Sequence, residues 1–185
     1  VKVPPLAIEA RTAPQAVDRI MPTVFDGISG ALMMRRVLCG LLLLVPVLAQ
    51  AATYTFNVGT INPANPVVST SVAGSSICSG AWSRSGTSGA FVFTCNGDVS
   101  TLSGDVLTIS ANNVSINVVA TSAMALNSTS VGTATRVISV QTSFGNLTAT
   151  GSNTITGSVV SGSGAINLAG TVVSGSISGT SSTIS

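Results

Sequence analysis

The chain has no histidine, and only 6% of its 185 residues are charged. Nucleophilic catalysis that depends on histidine is thereby excluded. From Ala52 onward the charged side chains are Arg84, Arg136, Asp98 and Asp105, with no net charge. The overall +2 therefore arises upstream. Without a cationic patch, nucleic acid and anionic membrane are not expected partners. Parallel β-helix enzymes that cleave polysaccharides need clustered carboxylates, often beside Lys or Arg. Asp98 and Asp105 each follow a glycine and fit turn residues that bond their own backbone better than an acid–base pair. Calcium-binding nonapeptide repeats need several acidic positions in register, which two aspartates do not supply. Serines abound, but none has a base to activate it. No catalytic, cofactor-binding or metal-ligating residue is expected.

Cysteine is scarce as well. Cys39 sits in an apolar run, leaving Cys78 and Cys95 downstream. Two cysteines in an exported chain favour a disulfide. A zinc site is disfavoured, with no histidine and no third downstream cysteine. The pair encloses SGAWSRSGTSGAFVFT, a hairpin pattern with Gly and Ser at its tip. Trp82 is expected to face Phe91 or Phe93 across it.

What the chain does have begins at residues 33–51, MMRRVLCGLLLLVPVLAQA. Arg35 and Arg36, an apolar stretch over Leu38 to Leu48, and Ala49-Gln50-Ala51 together read as a signal peptide, with its helix, cut near Ala52. The apolar stretch falls short of the ~20 residues a spanning helix needs, so no membrane span is expected in the mature chain. Cys39 lies too early for a lipidated cysteine. No glutamate follows Glu9, which argues against a prepilin leader. Residues 1–32 precede the plausible initiators Met33 and Met34 and read as an upstream extension outside the native protein.

Beyond residue 52 the chain is mostly Ser, Thr, Gly, Asn, Val, Ile and Ala. Branched Cβ atoms favour extended backbone, and Gly or Asn interrupts every run too soon for a helix. Gly157-Ser-Val-Val-Ser-Gly-Ser163 recurs thirteen residues later as Gly170-Thr-Val-Val-Ser-Gly-Ser176. Alternating units precede it at Val106–Ile109, Val114–Val118, Arg136–Val140 and Ala165–Leu168. This pattern predicts an all-β fold, a β-solenoid of the parallel β-helix kind built from short Gly/Ser/Val repeats. One thirteen-residue coil cannot offset its own ordering entropy, so neighbouring coils must supply the remainder. Residues 52–96 are expected to form an N-terminal cap with the disulfide hairpin. Residues 97–185 are expected to form the solenoid, truncated at its C-terminal end. A β-sandwich is the competing fold. Rows such as Thr148-Ala-Thr150 and Thr154-Ile-Thr156 have the pattern of ice- or carbohydrate-binding faces, but at irregular spacing.

Thr53-Tyr-Thr-Phe56, the Cys pair ending in Phe93-Thr-Cys-Asn-Gly-Asp98, Leu102-Ser-Gly-Asp-Val-Leu-Thr-Ile109 and the Gly/Ser/Val repeats together resemble the N-terminal region of MshQ-like proteins. These belong to the biogenesis locus of the mannose-sensitive haemagglutinin pilus of Gram-negative bacteria. The resemblance runs from about Thr53 to the end. It implies a large envelope or surface protein with further domains beyond Ser185. With the leader and the scarcity of charge, the expectation is a periplasmic, surface or extracellular protein without enzymatic activity, acting as a spacer or adhesion module. Its expected partners are pilus subunits, other envelope proteins or surface glycans. The repeats are also similar to bactofilins, which lack an export signal. The alternative class is a carbohydrate-active or carbohydrate-binding parallel β-helix.

Overall fold

The computed structural model describes residues 50–87 and 89–179. The upstream segment 1–32, the signal-peptide helix expected within 33–51 and the last residues of the repeat region lie outside the described residues, Gln50 and Ala51 excepted. No helix occurs among the described residues, and none is long and apolar enough to cross a membrane.

Strand β1 (Thr53–Phe56) pairs antiparallel with β2 (Val68–Thr70), and β3 (Trp82–Ser85) pairs antiparallel with β4 (Phe91–Cys95). From β4 the chain visits three faces in turn. The first circuit is β4, β5 (Val99–Ser100) and β6 (Val106–Ile109). The second is β7 (Val114–Ala120), β8 (Met124–Asn127) and β9 (Ser130–Val131). The third is β10 (Arg136–Thr142), β11 (Leu147–Thr150) and β12 (Asn153–Ile155). Then come β13 (Val159–Ser161), β14 (Ile166–Leu168) and β15 (Thr171–Val173), and β16 (Ile177–Gly179) returns to the first face. Equivalent strands pair in parallel, giving sheets β3-β4-β7-β10-β13-β16, β5-β8-β11-β14 and β2-β1-β6-β9-β12-β15. The fold is a β-solenoid.

Alternation within each strand sends every second side chain inward. The parallel register then stacks like on like. Phe93, Val118, Val140 and Val159 form one buried column, and Val99, Met124, Leu147 and Ile166 a second. Tyr54, Leu107, Val131 and Ile155 form the third. Each column lines one wall of a continuous core.

The thirteen-residue repeat does not measure a coil. Val159 of its first copy lies on β13 and Val172 of its second on β15, in different sheets. Stacked partners are farther apart in sequence: Phe91 on Ile116, Val114 on Arg136, Val140 on Val159, and Val159 on Ile177. The separation shrinks from 25 to 22, 19 and 18 residues along these pairs. The sequence repeat reports the corner–strand–corner unit that recurs from face to face within one circuit.

Corners stack too. Ser158 N donates to Ser139 Oγ at 3.1 Å, and Ser176 N to Ser158 Oγ at 3.2 Å. Beside this ladder, Gly157 lies flat on the Ile138–Ser139 peptide. A Cβ at Gly157 would sit 2.5 Å from both Ile138 C and Ser139 N.

The N-terminal end of each sheet is closed by an antiparallel partner. β2 covers β1, β3 covers β4, and Cys78 makes an antiparallel bridge to Val99 of β5. These segments shield edges that would otherwise pair with other chains. Within residues 52–96, β1 and β4 nonetheless pair in parallel with β6 and β7. That segment therefore supplies solenoid strands as well as the cover over them.

Gly157→Ala should lower unfolding stability by about 1–3 kcal/mol, the usual cost of forcing atoms into a packed site. Gly59→Ala, where a Cβ meets nothing within 4 Å, should stay within about 0.5 kcal/mol of wild type. Denaturant unfolding of the two variants checks the pair. Equal stabilities would refute close coil-on-coil contact at Gly157.

Candidate functional site

The features that set this solenoid apart from a plain stack gather at its N-terminal cap. Cys78 and Cys95 form a disulfide with Cα atoms 5.7 Å apart, and both residues are buried. The hairpin expected between them is present as β3 and β4, but its aromatic contact differs. Trp82 lies opposite Cys95, and Arg84 opposite Phe93. Phe56 of β1 packs between them, its ring 5.5 Å from Trp82 and 5.1 Å from Phe93, both edge-on. The cluster needs a ring from outside the hairpin, which adjacency in sequence does not reveal.

Arg84 clamps the loop after β1. Its Nη1 donates to the carbonyls of Asn57 and Gly59, both at 2.6 Å, and its guanidinium lies 5.2 Å from the Phe91 ring centre. Arg136 donates to Asn112 Oδ1 at 2.7 Å and to Thr108 Oγ1 at 3.2 Å, joining the corner between β6 and β7 to β10.

The two aspartates occupy different positions in the coil. Asp98 directly precedes β5 and is exposed. Its Oδ1 accepts from Ala123 N in the next coil at 2.9 Å, so it bonds across coils and not within its own turn. Asn146, directly before β11, accepts from Ala165 N in the same way at 2.9 Å. Asp98 thus does the work of an asparagine. Asp105 directly precedes β6 and is 1% exposed. Its Oδ2 accepts from Leu102 N within its own turn and its Oδ1 from Ala52 N, each at 2.8 Å. Among the described residues no group of three or more His, Cys, Asp or Glu side chains could hold a metal.

A buried polar file continues from Asp105 through the positions stacked on it, Thr129 and Asn153. Thr129 donates to the Asn127 carbonyl at 3.0 Å and shares a 2.5 Å hydrogen bond with the Thr101 hydroxyl. Asn153 Oδ1 accepts from Thr129 N at 2.8 Å, and its Nδ2 donates to the Thr150 carbonyl at 2.9 Å. The file satisfies backbone groups that a corner leaves unpaired. Its members fall at uneven sequence intervals, so no motif announces them.

Among the described residues, no threonine array forms on the outer surface. Thr148 stacks between Ala125 and Asn167, and Thr154 between Ser130 and Val172. One polar feature stands out. Asn117 borders an open groove lined by Phe91, Val92, Ser115 and Ile116. Its Nδ2 donates to Gln141 Oε1 at 2.9 Å, while its buried Oδ1 has no hydrogen-bond partner. Sequence reasoning missed it, because an outward Asn on a strand looks like any other exposed polar residue.

No family model, curated protein or solved structure matches the chain.

Two predictions concern the cap. Reducing the disulfide, whose cysteines are 17 residues apart, should remove roughly 3 kcal/mol of stability in the chain-entropy model. Thermal melts with and without reductant measure this, and coincident curves would be the contrary result. The second is a pH effect at Tyr54, the chain's single tyrosine. Burial and then the charge of Asp105 raise its phenol above the ordinary value, against the neighbouring Ser75 side chain, which lowers it. The folded state thus favours the neutral phenol. That stability is complete below the unfolded value of about 10 and is lost as pH rises through the higher folded value. Melting temperature should fall across this alkaline range and fall less in Tyr54→Phe.

Proposed function

We propose that this chain is an exported, non-enzymatic β-solenoid module of a bacterial surface or pilus-associated protein, serving as a spacer or adhesion unit. The observation that carries this reading is the use made of its charges. Arg84 and Arg136 bind carbonyls and neutral side chains, and Asp98 and Asp105 bind backbone amides. Each is already committed to holding one segment against another, whereas proton transfer needs a group free to face a substrate. The buried disulfide fits an oxidising compartment. The leader-like residues 33–51 and the resemblance to MshQ-like proteins support export and an envelope setting, with pilus subunits, other envelope proteins or surface glycans as partners.

A second reading, a carbohydrate-binding β-helix, draws on one observation, the unpartnered Asn117 Oδ1 beside its groove. Polar atoms at a concave surface orient sugar hydroxyls, and binding here would require Asn117 to shift, because its Oδ1 is covered.

Two measurements separate the readings. On intact cells expressing the full chain, surface-applied protease or antibody should reach the protein. The purified protein should release no reducing ends or unsaturated products from a panel of bacterial and plant polysaccharides. Cleavage products would overturn the non-enzymatic reading. Retention on a glycan surface that is lost in Asn117→Ala would favour the second.

A further inference from the structure

The corner file before β6, β9 and β12 contains one anomaly. Its stacked positions are Asp105, Thr129 and Asn153, followed by Thr171. Asn153 and Asp105 share one bond and differ in the other. Each reaches back to the preceding coil, Asn153 Oδ1 to Thr129 N and Asp105 Oδ1 to Ala52 N. Asn153 Nδ2 also donates to the Thr150 carbonyl, whereas Asp105 Oδ2 accepts from Leu102 N, so the side chain at 105 faces two amide donors. An uncharged amide side chain satisfies the Thr129 amide. At the equivalent place beside Ala52 the chain carries a carboxylate.

That carboxylate is 1% exposed. Its hydrogen bonds come from backbone nitrogens, and both arginines are engaged elsewhere. A carboxylate can accept from both Ala52 N and Leu102 N, but its burial without a cation remains costly. Asp98 bears no comparable penalty, because it is exposed. The atom facing Asp105 is the nitrogen of Ala52, and the sequence motif Ala49-Gln50-Ala51 marks the bond before that residue for cleavage. Ala52 is 3% exposed and is held at both ends, since its carbonyl accepts from Val106 N at 2.9 Å. Gln50 and Ala51, on the other side of that bond, are exposed.

We propose that a leader peptidase cuts between Ala51 and Ala52, and that the new α-ammonium of Ala52 is the cation for which Asp105 is built. Hydrolysis places the hydroxyl of water on the Ala51 carbonyl carbon and a proton on the Ala52 nitrogen. That nitrogen takes a further proton, and the new Ala51 carboxyl releases one. The amide hydrogen bond at 2.8 Å becomes an ion pair, stronger because both partners are charged. Processing then fastens β1 onto β6 at the point where the mature chain begins. The inference rests on the export reading above and adds to it the cleaved bond and the residue that receives the new terminus.

The test uses protein exported by cells that express the full chain. Its N-terminal sequence should start at Ala52. From that residue onward the chain has no lysine, so the α-amine is the single primary amine and an amine-reactive ester reports on it alone. At neutral pH the folded protein should react at least tenfold more slowly than the same protein in denaturant. Asp105→Asn, which keeps an acceptor for Ala52 N and removes the charge, should remove most of that protection, with a cooperative unfolding transition showing that the variant is folded. Nitrogen NMR of the wild-type α-amine gives a readout that needs no variant. Its titration should lie at least one pH unit above the ordinary value of about 8. Tyr54 is the titratable side chain that senses Asp105, and its absorbance is followed in parallel to separate the two. An exported chain that begins elsewhere, or an α-amine with ordinary titration, overturns the proposal and leaves export standing. A chain that is never exported overturns both.

Discussion

The structure depends on parallel pairing between successive coils. A strand of three or four residues buries too little to hold itself in place. Laid on an equivalent strand from the previous coil, it gains a ladder of backbone hydrogen bonds and a like side chain beneath its own. The columns from Phe93 to Val159 and from Val99 to Ile166 express this constraint on two faces. Corners obey it as well. Gly157 presses on the Ile138–Ser139 peptide because only a residue without a Cβ allows backbones to meet there. Ser139, Ser158 and Ser176 form a hydrogen-bonded ladder alongside. Register, once set on one face, is therefore enforced at the corners.

A stack of this kind has its weak points at the ends, where a coil has one neighbour. At the N-terminal end the chain meets the problem with nearly every unusual residue it owns. The antiparallel segments β2, β3 and Cys78 pair with the exposed ladders. Phe56, Trp82 and Phe93 close the end of the core. Arg84 and the disulfide fix the covering loops in place. Farther along, rings and charges give way to Val, Ile, Gly and Ser. At the last described coil Val173 is only half-buried and Ile177 is 39% exposed. Burial follows the number of neighbours more than the identity of the side chain.

Fold class was legible because it follows from local physics. Alternation at Val106–Ile109 and Arg136–Val140, branched Cβ atoms, and corners of Gly, Ser and Asn each point to short strands. The disulfide was legible too, from the two downstream cysteines and the hairpin pattern between them. Coil length was not. The most conspicuous repeat relates β13 to β15, two faces of one circuit, while the true stacking interval contracts along the chain. A contracting interval leaves no fixed period to detect. Long-range partners were equally hidden. Phe56 joins a hairpin far from it in sequence, and the bond from Ala123 to Asp98 spans 25 residues. Asp98 reads locally as a turn residue, and only its equivalence with Asn146 reveals its work between coils.

The same equivalence separates structural charge from chemical charge. In a repeat fold each position is seen several times, so neighbouring coils act as controls within one molecule. Where Asp98 and Asn146 make one bond in one place, the charge of Asp98 adds nothing specific, and solvent carries its cost. Where Asp105 and Asn153 make one bond but the aspartate is buried, the charge is costly and calls for a reason. The settings differ in two ways: Asp105 meets a second amide donor, Leu102 N, where Asn153 meets the Thr150 carbonyl, and the shared donors, Ala52 N and Thr129 N, differ in their place along the chain. Thr129 lies in the middle of the chain and can offer an amide alone, whereas the proposed cleavage would turn the Ala52 amide into an ammonium. The two amide donors call for a carboxylate at 105, and on the proposal above the new terminus supplies the cation that offsets its burial.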